Sequence, residues 1–399
     1  MSEHINNVSQ RKEIIKNILK QLHAGKSVED VREEFDRLAS QISYGEIVEI
    51  EQMLIDEGMA PEEIQNLCDV HVAVFKKSLD AQTESESLPG HPVFTLRDEN
   101  RLLEKTLDNL SGLLQKGLAG DSSSLDAFWM QAQKLSDFNR HYLRKEELLF
   151  PYLEKAGFYG PSKVMWGLHD DIRKLLQELM AAKGGSRREI QQAFSNLETM
   201  MREMVYKEEK ILFPEMLSRF TDEDWESIAA QEDEIGYFIT RPGNQWRPKA
   251  KAGREAKAMP EESAMGEQLP LQTGALTLKQ IDLLLRSLPV DVTFVDEKDT
   301  VRYFSQTRER IFSRTPAIIG RKVENCHPPQ SVGRVMQIVD DFRSGKRDSA
   351  EFWIQMGGRF ILIRYFAMRD ETGTFRGTLE VSQDVTGIRA LQGEKRLLD

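Results

Sequence analysis

"HYLRKEELLFPYLEKAG" runs from His141 to Gly157 and sets a histidine, a lysine, two adjacent glutamates and a Phe-Pro pair on one helical run. A second stretch, "MVYKEEKILFP", begins at Met204. Aligning Phe150-Pro151 with Phe213-Pro214 exposes a short internal repeat. Working outward, the segments 95–117, 123–155, 162–183 and 187–217 carry apolar residues every three or four positions, the period of an amphipathic helix. The breaks fall at "AGDSSS", "AGFYGPS" and "AKGGS", and Ser186 with Glu189 forms a capping-box signature. Short breaks between long amphipathic segments predict an antiparallel four-helix bundle, and the repeat gives its second and fourth helices like roles around one centre. A short helix is expected near 222–231.

The motifs of this region resemble those of the hemerythrin-like (HHE) cation-binding bundle family over about residues 90–218. That family shows His-x-x-x-Glu-Glu followed by Leu-Phe-Pro, with single histidines on the other two helices. His141 stands at the family's histidine position, and Lys145 stands where a ligating glutamate belongs. On the fourth helix Met204 takes the histidine position and Glu208 the glutamate position. The third helix supplies His169, and on the first Asn100 replaces the usual histidine, with His91 near the helix start. On an ideal helix, positions i and i+4 lie roughly 40° apart, so His141 co-faces Lys145 and Met204 co-faces Glu208. Glu146 lies about 140° from His141 and needs a long reach or a local distortion to join them. The expected inward layer is Asn100, His141, Lys145, His169, Met204 and Glu208.

Two readings of that layer stand. In one, iron or another divalent metal binds His141, His169 and Glu208, with His91, Glu146 or Glu147 completing the shell. In the other, the Lys145 ammonium replaces the metal and pairs with Glu208, as a buried charge requires. A standard di-iron centre is disfavoured, because it needs more carboxylates and imidazoles than this layer holds.

The region before the bundle reads as helices, with Ser27 as an N-cap, a Ser43/Glu46 capping box and Pro61 at a first helical position. "EIVEIEQMLIDEGMAPEEIQNLCDVH" resembles the domain of unknown function 438, which tends to precede a hemerythrin-like bundle and a PAS domain. In that family the block from His141 to Arg173 is familiar, lysine included. Cys68 and His71 lie three apart on one helix, a pairing that packing explains more often than metal.

Residues 240–272 are rich in Pro, Gly and charge and read as a flexible linker. Beyond them the period changes. "DVTFVDEKDTVRYFS" is two strands, and "SAEFWIQMGGRFILIRYFAMRDETGTFRGTLEVSQDVT" is three more. Between the two sets lie helical stretches at "TRERIF" and "QSVGRVMQIVDDFRSG", and "GIRALQGEKRLL" forms a closing helix. This α+β pattern resembles a PAS domain, whose cupped sheet holds a ligand or pairs with another copy. The sheet interior is expected to hold Val292, Phe294, Val301, Phe352, Ile354, Ile361, Ile363 and Tyr365, or their neighbours. Cys326 and His327 are the cofactor candidates, for heme or a small ligand.

The expected architecture is therefore multidomain: an all-α N-terminal region (1–82), a hemerythrin-like four-helix bundle (90–218), a short helix and linker (219–274) and an α+β PAS-like domain (275–390). A net charge of -11 argues against general nucleic-acid affinity. No apolar run reaches membrane-spanning length, the N-terminus lacks the apolar core of a signal peptide, and two distant cysteines suit the cytoplasm. The resemblances imply a sensor or regulatory protein, a homodimer that signals through a separate protein. The runner-up is a non-heme iron enzyme acting on oxygen, peroxide or nitric oxide. The third reading is a structural adaptor with its bundle plugged by Lys145.

Overall fold

A computed structural model describes residues 87–238 and 268–394, except 308 and 309, together with parts of 13–64 and residues 243, 245 and 246. Cys68, His71, Ser43, Pro61 and most of the 240–272 linker lie outside the described residues. The chain divides into two compact units, Met1–Lys249 and Ala250–Asp399.

The first unit is helical. Its described elements include α1 (Tyr44–Asp56), α2 (Pro92–Leu118), α3 (Ser122–Lys134), α4 (Asn139–Arg144), α5 (Phe150–Lys155), α6 (Gly160–Ala181), α7 (Arg187–Lys207), α8 (Phe213–Arg219), α9 (Asp222–Ala229) and α10 (Glu232–Ile235). Helix α2 starts on His91, whose Nδ1 accepts the Val93 N–H at 3.1 Å, with Pro92 in the first turn. It buries Val93, Leu96, Leu103, Leu107, Leu110 and Leu114, a three-to-four spacing that puts one stripe inward. Ser27 shares reciprocal bonds with Asp30, and the Ser186–Glu189 capping box opens α7. Where α2 meets α3, a Cβ on Gly117 would lie 2.9 Å from Leu125 Cβ, so only glycine permits that approach.

Two apolar clusters fill this unit. One holds Leu103, Leu107, Phe128, Phe138 and Leu197, together with Trp129. The other holds Val93, Leu96, Leu148, Phe150, Phe213 and Trp225, together with Trp166. Along α2, the α4–α5 run and the α7–α8 run, the chain passes from one cluster to the other through a short buried polar stretch. That stretch contains Glu99 and Asn100, then Arg144 to Glu147, then Glu208.

The second unit opens with a small hairpin, β1 (Leu269–Leu271) and β2 (Gly274–Leu276), and the helix α11 (Leu278–Ser287). A five-stranded antiparallel sheet comes next, in the order β4-β3-β7-β6-β5. Its strands are β3 (Asp291–Asp296), β4 (Val301–Phe304), β5 (Ser349–Met356), β6 (Arg359–Arg369) and β7 (Phe375–Asp384). Helix α12 (Pro329–Arg343) packs on β6 and β7. This is the expected all-α region followed by an α+β PAS fold.

Three local expectations need correction. The described residues of "TRERIF" are not helical. Asp291 accepts from the Thr307 hydroxyl at 2.5 Å and the Ile311 N–H at 2.6 Å, which pins this loop to the start of β3. The closing helix spans only Thr386–Arg389 among the described residues, and Gly393 at φ +64 interrupts its continuation. In β3 the residues facing α12 are Thr293 and Val295, whose partners Glu380 and Thr378 lie on the same face. Phe294 is on the other face, and the register shifts between Phe294 and Val295. Phe352, expected inside, is 39% exposed.

Candidate metal centre of the helical bundle

The two Phe-Pro repeats share one backbone feature. Lys145–Leu149 and Glu208–Leu212 are single π-helical turns, in which Phe150 N–H bonds Lys145 O and Phe213 N–H bonds Glu208 O. Pro151 and Pro214 explain them. Each lacks an N–H and crowds the carbonyl four residues before it, so the preceding turn widens by one residue. This is the distortion that brings Glu146 inward.

Around these turns the polar side chains form a connected network. Lys145 Nζ donates to Glu208 Oε1, and both side chains are fully buried. Glu208 Oε2 meets His141 Nε2 at 3.0 Å and accepts from Asn100 Nδ2 at 2.8 Å. His141 Nδ1 meets Glu99 Oε2 at 2.9 Å. Arg144 bonds Glu99 and, at 3.1 Å, Glu232. His169 Nδ1 meets Glu146 Oε1 at 2.7 Å, while Arg173 Nη2 donates to both oxygens of Glu146 at 2.9 Å. Arg97 Nε holds Glu209 at 3.0 Å. The His169 ring stacks on Tyr142 with centroids 4.4 Å apart, and Lys145 Nζ lies 4.7 Å above the same Tyr142 ring.

The electrostatics reflect burial set against these partners. Burial alone would raise Glu208, but Lys145 and His141 outweigh it and hold the carboxyl down at about 2. Burial depresses the Lys145 ammonium in turn, with Glu208 opposing. These directions pull against each other on one pair. The direct contact, with His141 also on Glu208, decides for the charged pair. Burial raises Glu99 less than His141 and Arg144 lower it. Burial pushes Glu146 up to about 8 against Arg173, and Glu232 up to about 7 against Arg144. Burial holds His169 well below its ordinary value, with Lys145 and Arg173 adding to the effect.

The expected site residues thus fall into separate groups. His141 and Glu208 meet, with Lys145 and Asn100 on the same carboxylate. His169 and Glu146 form a second group around Arg173. His91 stands apart as the cap of α2, against Trp225 and Trp246 at 4.6 and 5.0 Å. Glu147 is buried in the π turn. Glu99, Arg144, Arg173 and Glu232 complete the network and were not in the expected layer. Their signal was available in part, since Arg173 comes four residues after His169 and Arg144 three after His141.

A divalent metal does not fit this donor set. Both ring nitrogens of His141 are engaged by carboxylates, Glu99 and Glu208, so neither turns to an open coordination site. Both oxygens of Glu208 and both of Glu146 are engaged by basic or amide groups. His169 Nε2 and Asn100 Oδ1 each lack a hydrogen-bond partner among the described residues, and they belong to the two separate groups. Among those residues no group of three or more His, Cys, Asp or Glu side chains is arranged to hold a metal.

In the second unit, Cys326 Sγ lies 3.4 Å from Lys322 O, and His327 Nδ1 meets Val323 O at 2.8 Å. His327, Tyr365, Thr378 and Glu380 join Val295, Val323 and residues of α12 around a cavity of about 20 Å³. That is room for about one water. A heme does not fit there. The His327 ring, lowered by burial, presents Nε2 rather than a free Nδ1. No helix among the described residues is long and apolar enough to cross a membrane.

Comparison with known proteins agrees with this division. Residues 15–81 match a family of unknown function (DUF438), residues 91–235 the hemerythrin HHE cation binding domain, and residues 281–386 a PAS domain. Among solved structures, a C-terminal domain from Streptococcus mutans is 36% identical, with 32% of this chain and 98% of that chain covered at a TM-score of 0.31. A sensory box sensor histidine kinase from Vibrio cholerae is 14% identical, with 27% and 89% covered and a TM-score of 0.22. The PAS domain of Bordetella pertussis BvgS is 14% identical, with 27% and 86% covered and a TM-score of 0.24. No curated protein matches this chain. In this order, then, the chain carries regions that match DUF438, the hemerythrin HHE cation binding domain and a PAS domain.

Proposed function

We propose that the protein is a non-enzymatic sensor or regulatory protein whose PAS domain takes a small polar ligand into the cavity beneath α12. The observation that carries this reading is the wall of that cavity. Thr378 Oγ1 is buried with no hydrogen-bond partner among the described residues, beside the Glu380 carboxylate and the His327 ring. Valines and isoleucines form much of the remaining wall. Apolar walls with a few convergent polar atoms are the make-up of ligand sites, and a partnerless buried hydroxyl calls for a partner. The matching ligand carries an amine or amide that donates to Glu380 and a second polar group for Thr378. The closed cavity holds about one water, so both entry and accommodation of such a ligand require α12 to move outward, which links occupancy to the helix position.

The test is a thermal-shift screen of the full chain against small amines, amino acids and amides. At least one compound is expected to raise the melting temperature in the wild type and to lose most of that effect in Glu380→Gln and Thr378→Val. A screen without a hit, or a hit indifferent to both substitutions, refutes the reading.

A second feature supports a homodimer. Leu278, Leu283 and Leu284 of α11 are each more than half exposed, as is Trp353 on β5. Such apolar surface favours covering by a partner. Sedimentation of the wild type is expected to give a dimer, and Leu284→Asp a monomer.

A further inference from the structure

We infer that the cation at the centre of this hemerythrin-like bundle is the Lys145 ammonium itself, so that the module folds and persists without a bound metal. The inference is independent of what the PAS cavity binds.

The argument begins with position. Lys145 occupies the place, four residues after His141, where the family pattern supplies a ligating carboxylate, and its Nζ ends on Glu208, the one family carboxylate retained on the fourth helix. The replacement extends beyond one contact. Glu99 and Glu232 are met by Arg144, Glu146 by Arg173, and Glu209 by Arg97. Glu99, Glu146, Glu208, Glu209 and Glu232 are therefore each matched to a basic side chain. His141 bridges Glu99 and Glu208 through its two ring nitrogens, which joins the two halves of the network.

Adding a dication to this arrangement would strand Lys145, and Arg144 with it, as unpaired charges in the dry interior. Such an uncompensated buried charge costs far more than a surface one. Conversely, removing the ammonium leaves Glu208 buried with its charge only partly met. The same geometry that excludes a metal thus makes the lysine necessary to the bundle.

Two measurements test this on the full chain. The first exposes purified protein anaerobically to ferrous iron, and separately to zinc and manganese, followed by gel filtration and elemental analysis. The expected result is substoichiometric metal and a melting temperature unchanged by metal or by a chelator. One equivalent of metal retained by the wild type and lost in Glu208→Gln overturns the inference. Metal retained equally by Glu208→Gln binds outside the layer and agrees with it.

The second compares Lys145→Met with Lys145→Met/Glu208→Gln in urea. The single variant is expected to lower the folded-to-unfolded ratio roughly a hundredfold or more, or to fail to fold. The double variant, with charge and partner removed together, is expected to recover much of the loss. A single variant as stable as wild type, or a double variant no better than the single, overturns the inference.

Discussion

Arg144 holds together the acidic side of the bundle's polar layer. Its guanidinium bonds Glu99 and Glu232 from a position that is 1% exposed, and lies 4.8 Å from the Tyr237 ring. Arg144→Met keeps the stem's length and removes the charge. The buried Glu99 carboxylate then loses its cation and Glu232 its hydrogen-bond donor, and the expected destabilisation is about 3–5 kcal/mol. Urea melts of the full chain check this, and an unchanged midpoint for the helical unit would refute it. Residues of this kind divide into those the sequence discloses and those it conceals. His141, Lys145 and Glu208 were legible because spacings of four place them on one face and the Phe-Pro repeat fixes their offset. Glu99 was hidden because Asn100 beside it fills the family's histidine position, which marks Asn100 as the inward polar group of that turn. Arg144 and Arg173 were hidden because long basic side chains normally reach solvent, and nothing local shows that the acids they meet are buried.

At the scale of elements, the backbone departs from ideal geometry where proline or glycine imposes it. The π turns before Pro151 and Pro214 rotate the helix beyond them, so an angle reckoned on an ideal helix misplaces Glu146 by the residue the turn inserts. The helices themselves, their caps and their breaks were legible from period and capping chemistry, which are local. The strands were legible as strands, but the inward face of β3 was not, because Val292, Phe294 and Val295 put apolar residues on both faces and the strand is buried on both. Gly377 in β7 shows how tightly this sheet is built. It adopts φ +143, and a Cβ there would collide with Val295 O. Gly377→Ala must therefore push β7 away from β3, beside the cavity-lining Thr378. The expected cost is about 1–3 kcal/mol in strain, with further loss from the broken pairing. Chemical denaturation of the C-terminal unit measures it, and wild-type stability in this variant would show that β7 moves away from β3 at little cost.

At the scale of the whole molecule, the two units respond differently to pH because their buried titratable groups differ. In the helical unit, Glu208 at about 2 and the lowered Glu99 contribute stability that is present above about 4.5 and is lost as pH falls toward 2. His91, lowered to about 4 by burial, and His169, held well below its ordinary value, stay neutral when folded. Below about 6.5 the unfolded chain alone takes up their protons, so stability falls with pH there too. Glu146 at about 8 and Glu232 at about 7 act in the opposite sense. The folded chain keeps protons that the unfolded chain loses above about 4.5, so stability falls as pH rises toward 7 and 8. Between about 4.5 and 6.5 the histidines and these two glutamates oppose each other. Above about 6.5 the glutamates lower stability as pH rises, and Lys145, lowered by burial from 10.5, acts in the opposite sense. The shifted carboxylates of the other unit, Asp296, Asp341, Asp370 and Asp384, all move down from 3.8, and His327 moves down from 6.5, so none of these titrates between 6.5 and 8. Calorimetry of the full chain is therefore expected to resolve two transitions. The one belonging to the helical unit moves to lower temperature between about pH 6.5 and 8, while the other stays in place. Glu232→Gln should remove the part of that shift that falls near pH 7. Transitions that move together, or a helical transition that rises over this range, would show that Glu146 and Glu232 are ionised in the folded bundle.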